Sequence, residues 1–220
     1  MRKATTYLFG NVIGFIIILL SFNVHAQQAA FNIYDSPTDI KPLLPGMTVE
    51  NICLPDSNNK KSCLHDMFAN KSTVLIVYRG GWCPYCNAQL NRLQKIESDL
   101  VAMGYQLIGV APESAPNQNK TKAKSELKYQ LLADNQLTLA KSLGLAYFLD
   151  DKTAQMYRSR LGVDFVDIKN DSRVALPVPA VFIIDRQGLV HFQYANPNYK
   201  VRLNEQLLLD AAKYALQDMR

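Results

Sequence analysis

Cys83 and Cys86 lie three positions apart in YRGGWCPYCNAQL, residues 78–90, straight after a Gly-Gly pair. Two thiols at this spacing can exchange electrons with a disulfide if one is a thiolate and the other is within reach. A helix N-terminus meets the first condition. Its unpaired N–H groups and its dipole favour an anion, and they lower a cysteine pKa from about 8.5 to roughly 3.5–7.5. Pro84 suits the first helical turn, where no N–H is required. The pattern places Cys83 on the exposed edge of the helix and Cys86 one turn in. Cys83 is then expected to attack a substrate disulfide and Cys86 to resolve the mixed disulfide.

The competing uses of the pair are a structural disulfide and half of a metal site. A zinc centre needs four ligands. Past residue 26 the histidines are His65 and His191, neither at a motif spacing from the pair. No metal and no cofactor is therefore expected. Thiolates are soft ligands, so a copper carrier or a redox-regulated binding module stays open as a non-enzymatic alternative.

The other two cysteines, Cys53 and Cys63, flank DSNNK, a turn-rich stretch. Spacing pairs them across a hairpin as a structural disulfide, with a second redox pair or two free thiols as alternatives. The N-terminus bears on this. MRK is basic, VIGFIIILLSF (12–22) is apolar, and VHA (24–26) offers small residues to a signal peptidase. Cleavage after Ala26 would send the chain to the periplasm or outside the cell, where disulfides persist. An uncleaved membrane anchor is the rival. The apolar run is short for a span, and Asn11, Ser21 and Asn23 interrupt or flank it. The expected organisation is a signal peptide over 1–26, an exposed lead-in over 27–44, and one domain over 45–220.

The dithiol must be held by elements legible around it. STVLIVYR (72–79) is a continuous apolar run, as in a strand buried on both faces. Leu90, Leu93, Ile96, Leu100 and Met103 recur at helical steps, and Gly104 closes that helix. YQLIGVA (105–111) and ELKYQLLAD (126–134) read as further strands, with a short helix over 136–143. PAVFIID and LVHFQYA form a hairpin around RQG, and residues 201–219 form a last helix. The stretch TVENICLPDSNNKKSCLHDMF reads as an N-terminal β-hairpin, and residues 145–176 as an insertion near the active-site face. Strands alternating with helices imply an α/β fold with a mixed central sheet flanked by helices. A Cys-x-x-Cys pair at the end of its first long strand is the thioredoxin-like signature.

Composition excludes little else. The formal charge is +5 in 220 residues, and losing Arg2 and Lys3 with the leader takes +5 to +3. No basic stripe with interleaved aromatics suggests nucleic acid.

VYRGGWCPYCNAQL, LPVPAVFIIDRQG and PNYKVRL together resemble the peroxiredoxin-like branch of the alkyl hydroperoxide reductase/thiol-specific antioxidant family over roughly residues 45–215. The resemblance implies a thioredoxin-like fold and thiol-based antioxidant chemistry. It also implies a cis Pro179 opposite the dithiol, presenting the Val178 backbone to an incoming peptide. A trans proline starting an edge strand is the plainer alternative. Two departures matter. Cys83 stands where typical members carry threonine, and Pro179 where they carry arginine. Trp82 before the pair is similar to thioredoxins, and CPYC to glutaredoxins. The buried carboxylate of thioredoxins has no counterpart in residues 72–82, which contain no Asp or Glu. Arg79 is expected either to stabilise a thiolate or to be a surface charge. The leading expectation is an exported thiol–disulfide oxidoreductase acting on protein or small-molecule disulfides, served by an unidentified electron donor. A thiol peroxidase, with Cys86 attacking a hydroperoxide and Cys83 resolving, is the alternative.

Overall fold

The computed structural model describes residues 32–161, 163, 165 and 172–219. The expected signal peptide and the start of the lead-in lie outside the described residues. Among the described residues, no helix is long and apolar enough to cross a membrane.

A mixed five-stranded sheet carries the molecule. Its strands are β3 (Thr73–Val77), β4 (Gln106–Ala111), β5 (Gln130–Ala133), β8 (Ala180–Ile184) and β9 (Val190–Ala195), in the order β5-β4-β3-β8-β9. β3, β4 and β5 run parallel, while β8 and β9 join antiparallel. β3 is central and wholly buried, which accounts for its unbroken apolar run.

Alternate residues of β3 feed two cores. Val74, Ile76 and Tyr78 face α2 (Pro84–Lys95) and α7 (Glu205–Asp218), packing with Leu90, Leu93 and Leu208. Leu75 and Val77 face α1 (Leu64–Asn70) and α5 (Thr138–Ser142), packing with Leu64, Phe68 and Leu139. Both faces are covered, as a thioredoxin-like fold requires.

Several elements differ from expectation. The N-terminal hairpin is only β1 (Cys53–Pro55) and β2 (Lys61–Cys63), because residues 64–70 turn into α1, burying Leu64 and Phe68. The long helix expected after Cys83 breaks at Ile96 into α2 and α3 (Glu97–Ala102). α4 (Ala115–Lys124) follows β4, and the last helix starts at Glu205, capped by Asn204. The stretch at 145–176 has an internal logic. β6 (Ala146–Phe148) and β7 (Ala175–Pro177) pair antiparallel with every residue buried, and α6 (Asp151–Leu161) lies between them in sequence.

Candidate active site

Backbone conformation builds the junction between β3 and α2. Gly80 has φ +138°, which side-chain-bearing residues rarely adopt, and a Cβ there would come 2.4 Å from the Trp82 ring nitrogen. A Cβ on Gly81 would sit 1.8 Å from Thr121 Oγ1. The loop is pinned by Asn87 Nδ2 donating to Gly81 O (2.7 Å) and Gly81 N donating to Glu113 Oε1 (3.0 Å). Cys83 then occupies the N-cap of α2, and its carbonyl accepts from the N–H groups of Cys86 and Asn87, each at 3.1 Å. Pro84 follows as the first helical residue.

Both thiols are free, and both are buried: Cys83 is 1% exposed and Cys86 0%. The expected exposed edge at Cys83 is therefore corrected. Rings from the 145–176 stretch crowd the junction. Tyr157 packs tilted against Trp82 at 5.3 Å, and Phe165 meets the same ring edge-on at 6.2 Å.

The two thiols differ sharply. Cys83 is lowered to about 6, by a hydrogen bond from the Cys86 thiol and then the Cys86 N–H and the Arg79 and Arg202 guanidiniums, all acting against burial. Burial pushes Cys86 well up, and the neighbouring Cys83 sulfur adds to that. The pair thus holds one proton readily on Cys86 while Cys83 gives its own up near neutrality.

Two residues at this site escaped the sequence reading. Arg202 donates from Nη2 to Cys86 Sγ (3.5 Å) and from Nη1 to Gln89 Oε1 (3.2 Å). Its one signal was membership of PNYKVRL. Glu113, just past β4, supplies a half-buried carboxylate, whereas residues 72–82 hold none. Its Oε1 accepts from Gly81 N, its Oε2 is buried without a partner among the described residues, and burial raises its pKa.

Arg79 is not a surface charge. It is 1% exposed, and its guanidinium carbon lies 4.2 Å from the Tyr199 ring centre and 5.2 Å from those of Trp82 and Tyr157. Val178 and Pro179 also depart from expectation. The peptide bond between them is trans. The reason is topological: the chain runs extended from β7, which pairs with β6, into β8, which pairs with β3. Val178 is fully buried and its N–H donates to Leu145 O at 2.9 Å, so that donor is not offered to a peptide. Nor does Pro179 open an edge strand, since β8 lies between β3 and β9.

Cys53 and Cys63 sit directly opposite each other across the hairpin and are disulfide-bonded. Asp56 bridges that hairpin to Leu132 of β5. His65 Nε2 lies 2.8 Å from Val49 O, and His191 Nε2 lies 2.9 Å from Asp185 Oδ2. Among the described residues, no group of three or more His, Cys, Asp or Glu could hold a metal ion.

Comparison with known proteins gives the family and the fold. Residues 45–193 fit the AhpC/TSA family. The chain is similar to peroxiredoxin bcp1 of Schizosaccharomyces pombe, with 29% identity over 99 residues, 45% of this chain and 51% of that protein. That match spans about half the length of the yeast protein. A longer match, 25% identical over 195 residues, is to the thiol:disulfide interchange protein DsbE of Pasteurella multocida, covering 88% of this chain and 89% of that one. Among solved structures, peroxidoxin BcpB from Mycobacterium tuberculosis superposes with a TM-score of 0.61 at 18% identity, over 80% of this chain and 97% of that one. The fold is that of the peroxiredoxin-like members of the thioredoxin-like superfamily, and the chain belongs to the AhpC/TSA family of thiol-dependent oxidoreductases.

Proposed function

We propose that this protein is an exported thiol–disulfide oxidoreductase in which Cys83 is the nucleophile and Cys86 the resolving thiol. The observation that carries the reading is the asymmetry of the pair: an N-cap thiol lowered to about 6 beside a sealed thiol pushed well up. The Cys83 thiolate attacks a substrate sulfur, and the substrate S–S bond breaks. Cys86 then gives up its proton and attacks Cys83, releasing the second substrate thiol and leaving Cys83–Cys86 oxidised. An external dithiol must return the electrons. Export rests on the basic, apolar and small-residue order of residues 2–26.

A second reading, thiol peroxidase, has one observation in its favour: the Arg202 guanidinium on Cys86 Sγ would stabilise a thiolate there. Stopped-flow fluorescence of Trp82, the single tryptophan, separates the two. Reduced protein is mixed with hydrogen peroxide or with a disulfide peptide. Rapid disulfide exchange that needs Cys83, with slow peroxide oxidation, is the expected result. Fast peroxide oxidation that survives Cys83→Ser and leaves a sulfenic acid on Cys86 would replace the first reading with the second.

A further inference from the structure

Arg79 carries a charge that the fold leaves incomplete. It is 1% exposed, yet its Nε and Nη1 have no hydrogen-bond partner among the described residues. No carboxylate among them pairs with it. A buried cation with unmade hydrogen bonds is costly, and the Tyr157 hydroxyl, the Cys83 sulfur and the three ring faces around it offset only part of that cost. A guanidinium in this state is matched by a planar anion that accepts two parallel N–H bonds.

The space for such an anion is present. A cavity of about 580 Å³ has Arg79 in its wall, together with Tyr147, Thr153, Tyr157, Asn198 and Tyr199. The acids at its rim are engaged elsewhere. Asp35 accepts from Arg173 at 2.9 Å, and Asp150 accepts the Thr153 N–H at 2.9 Å. Lys200 adds a second cation to the rim. Neither cysteine lines the cavity, and the dithiol lies behind its wall. Tyr199 packs edge-on against Tyr85, the residue between Pro84 and Cys86, at 5.7 Å, and Trp82 next to Cys83 packs on Arg79 itself. The volume lies in the range of small-molecule sites and is ample for a whole small disulfide.

We propose that Arg79 forms a carboxylate-binding subsite beside the dithiol, and that the small-molecule substrates of this protein are disulfides bearing a carboxylate close to the sulfur. This rests on the disulfide-reductase reading above. With dithiodiglycolate as substrate, the carboxylate seats on Arg79 and Cys83 attacks the nearer sulfur. One mercaptoacetate leaves as thiolate and takes a proton from solvent. Cys86 loses its proton, attacks Cys83, and releases the second mercaptoacetate. The disulfide gains two electrons and the dithiol loses two, which dithiothreitol restores in the assay.

The test compares dithiodiglycolate with the neutral hydroxyethyl disulfide on the full mature protein. The unreactive thioether thiodiglycolate is titrated against Trp82 fluorescence in parallel. A bidentate charge-assisted pair implies a preference of about 10- to 100-fold in kcat/KM for the carboxylate disulfide. Arg79→Gln should bring the ratio close to unity and abolish thiodiglycolate binding. Arg79→Lys, which keeps the charge and loses the fork, should recover only part of both. The wild-type ratio needs no variant to fold. Equal efficiency for the two disulfides, with no thiodiglycolate binding, overturns the subsite. Turnover of neither disulfide removes the reductase reading instead, and the thioether titration then still decides whether Arg79 binds a carboxylate.

Discussion

A sulfur lowered to about 6 makes a specific kinetic claim. Alkylation of the reduced protein by iodoacetamide should rise through a single step centred near pH 6 and reach a plateau by pH 7.5, since the thiolate is the reacting form. Cys83→Ser should remove that step. Cys86→Ala should move its midpoint upward, because the largest contribution to the lowered value is the hydrogen bond from the Cys86 thiol. Arg202→Gln should move it upward too. A midpoint that stays near 6 in all three variants would assign the reactive sulfur elsewhere. The same variants show what was legible at this scale. Cys83, Pro84 and Cys86 could be read because their relation is local to one helical turn. Arg202 reaches Cys86 across 116 residues and Glu113 reaches Gly81 across 32. Nothing in a linear string marks such contacts. The burial of Arg79 was equally hidden, since it depends on rings from three separate segments.

Elements position the pair through close approach. Gly81 lies against α4 so tightly that an added methyl would overlap Thr121 Oγ1 at 1.8 Å. Gly81→Ala should therefore destabilise the protein by about 1–3 kcal/mol, the usual cost of overpacking. Combining it with Thr121→Ala, which removes that oxygen, should recover part of the loss in urea midpoint. No recovery would mean that the backbone of the Gly-Gly turn, rather than the α4 contact, sets the limit. The stretch that encloses β6, α6 and β7 has the opposite effect on access. Tyr157 covers Trp82 and Arg79, so Tyr157→Ala should speed alkylation of Cys83 at fixed pH even as it lowers stability. An unchanged alkylation rate would show that this ring does not limit access to the thiol. Strand and helix order were legible because an unbroken apolar run and a 3.6-residue periodicity are both local signals. The pairing of β6 with β7 was not, because residues 149–174 separate two three-residue strands, and so short a strand carries no periodicity.

At the scale of the whole molecule, the chain keeps its two cysteine pairs in separate places. The dithiol lies where β3 meets α2 in the middle of the sheet. The Cys53–Cys63 bond closes a hairpin that is tied to β5 at the sheet's other margin, with Asn119 of α4 donating to Ser57 O. A crosslink over a separation of 10 residues removes unfolded-state entropy worth about 2–3 kcal/mol. For a chain of this size each kcal/mol shifts Tm by about 2–4 °C. The double variant Cys53→Ala/Cys63→Ala should then melt about 4–12 °C lower than wild type when both are scanned without reductant. Its rate of exchange with a disulfide peptide should stay at the wild-type value well below the transition, since neither residue touches the dithiol. Dithiothreitol sufficient to open the hairpin bond should bring the wild-type Tm down to that of the variant. A variant that keeps the wild-type Tm would mean that the hairpin is held by its contacts with β5 and α4 alone. A variant that loses exchange activity with its fold intact would instead tie the second pair to the redox cycle, and the separation of the two pairs would fail.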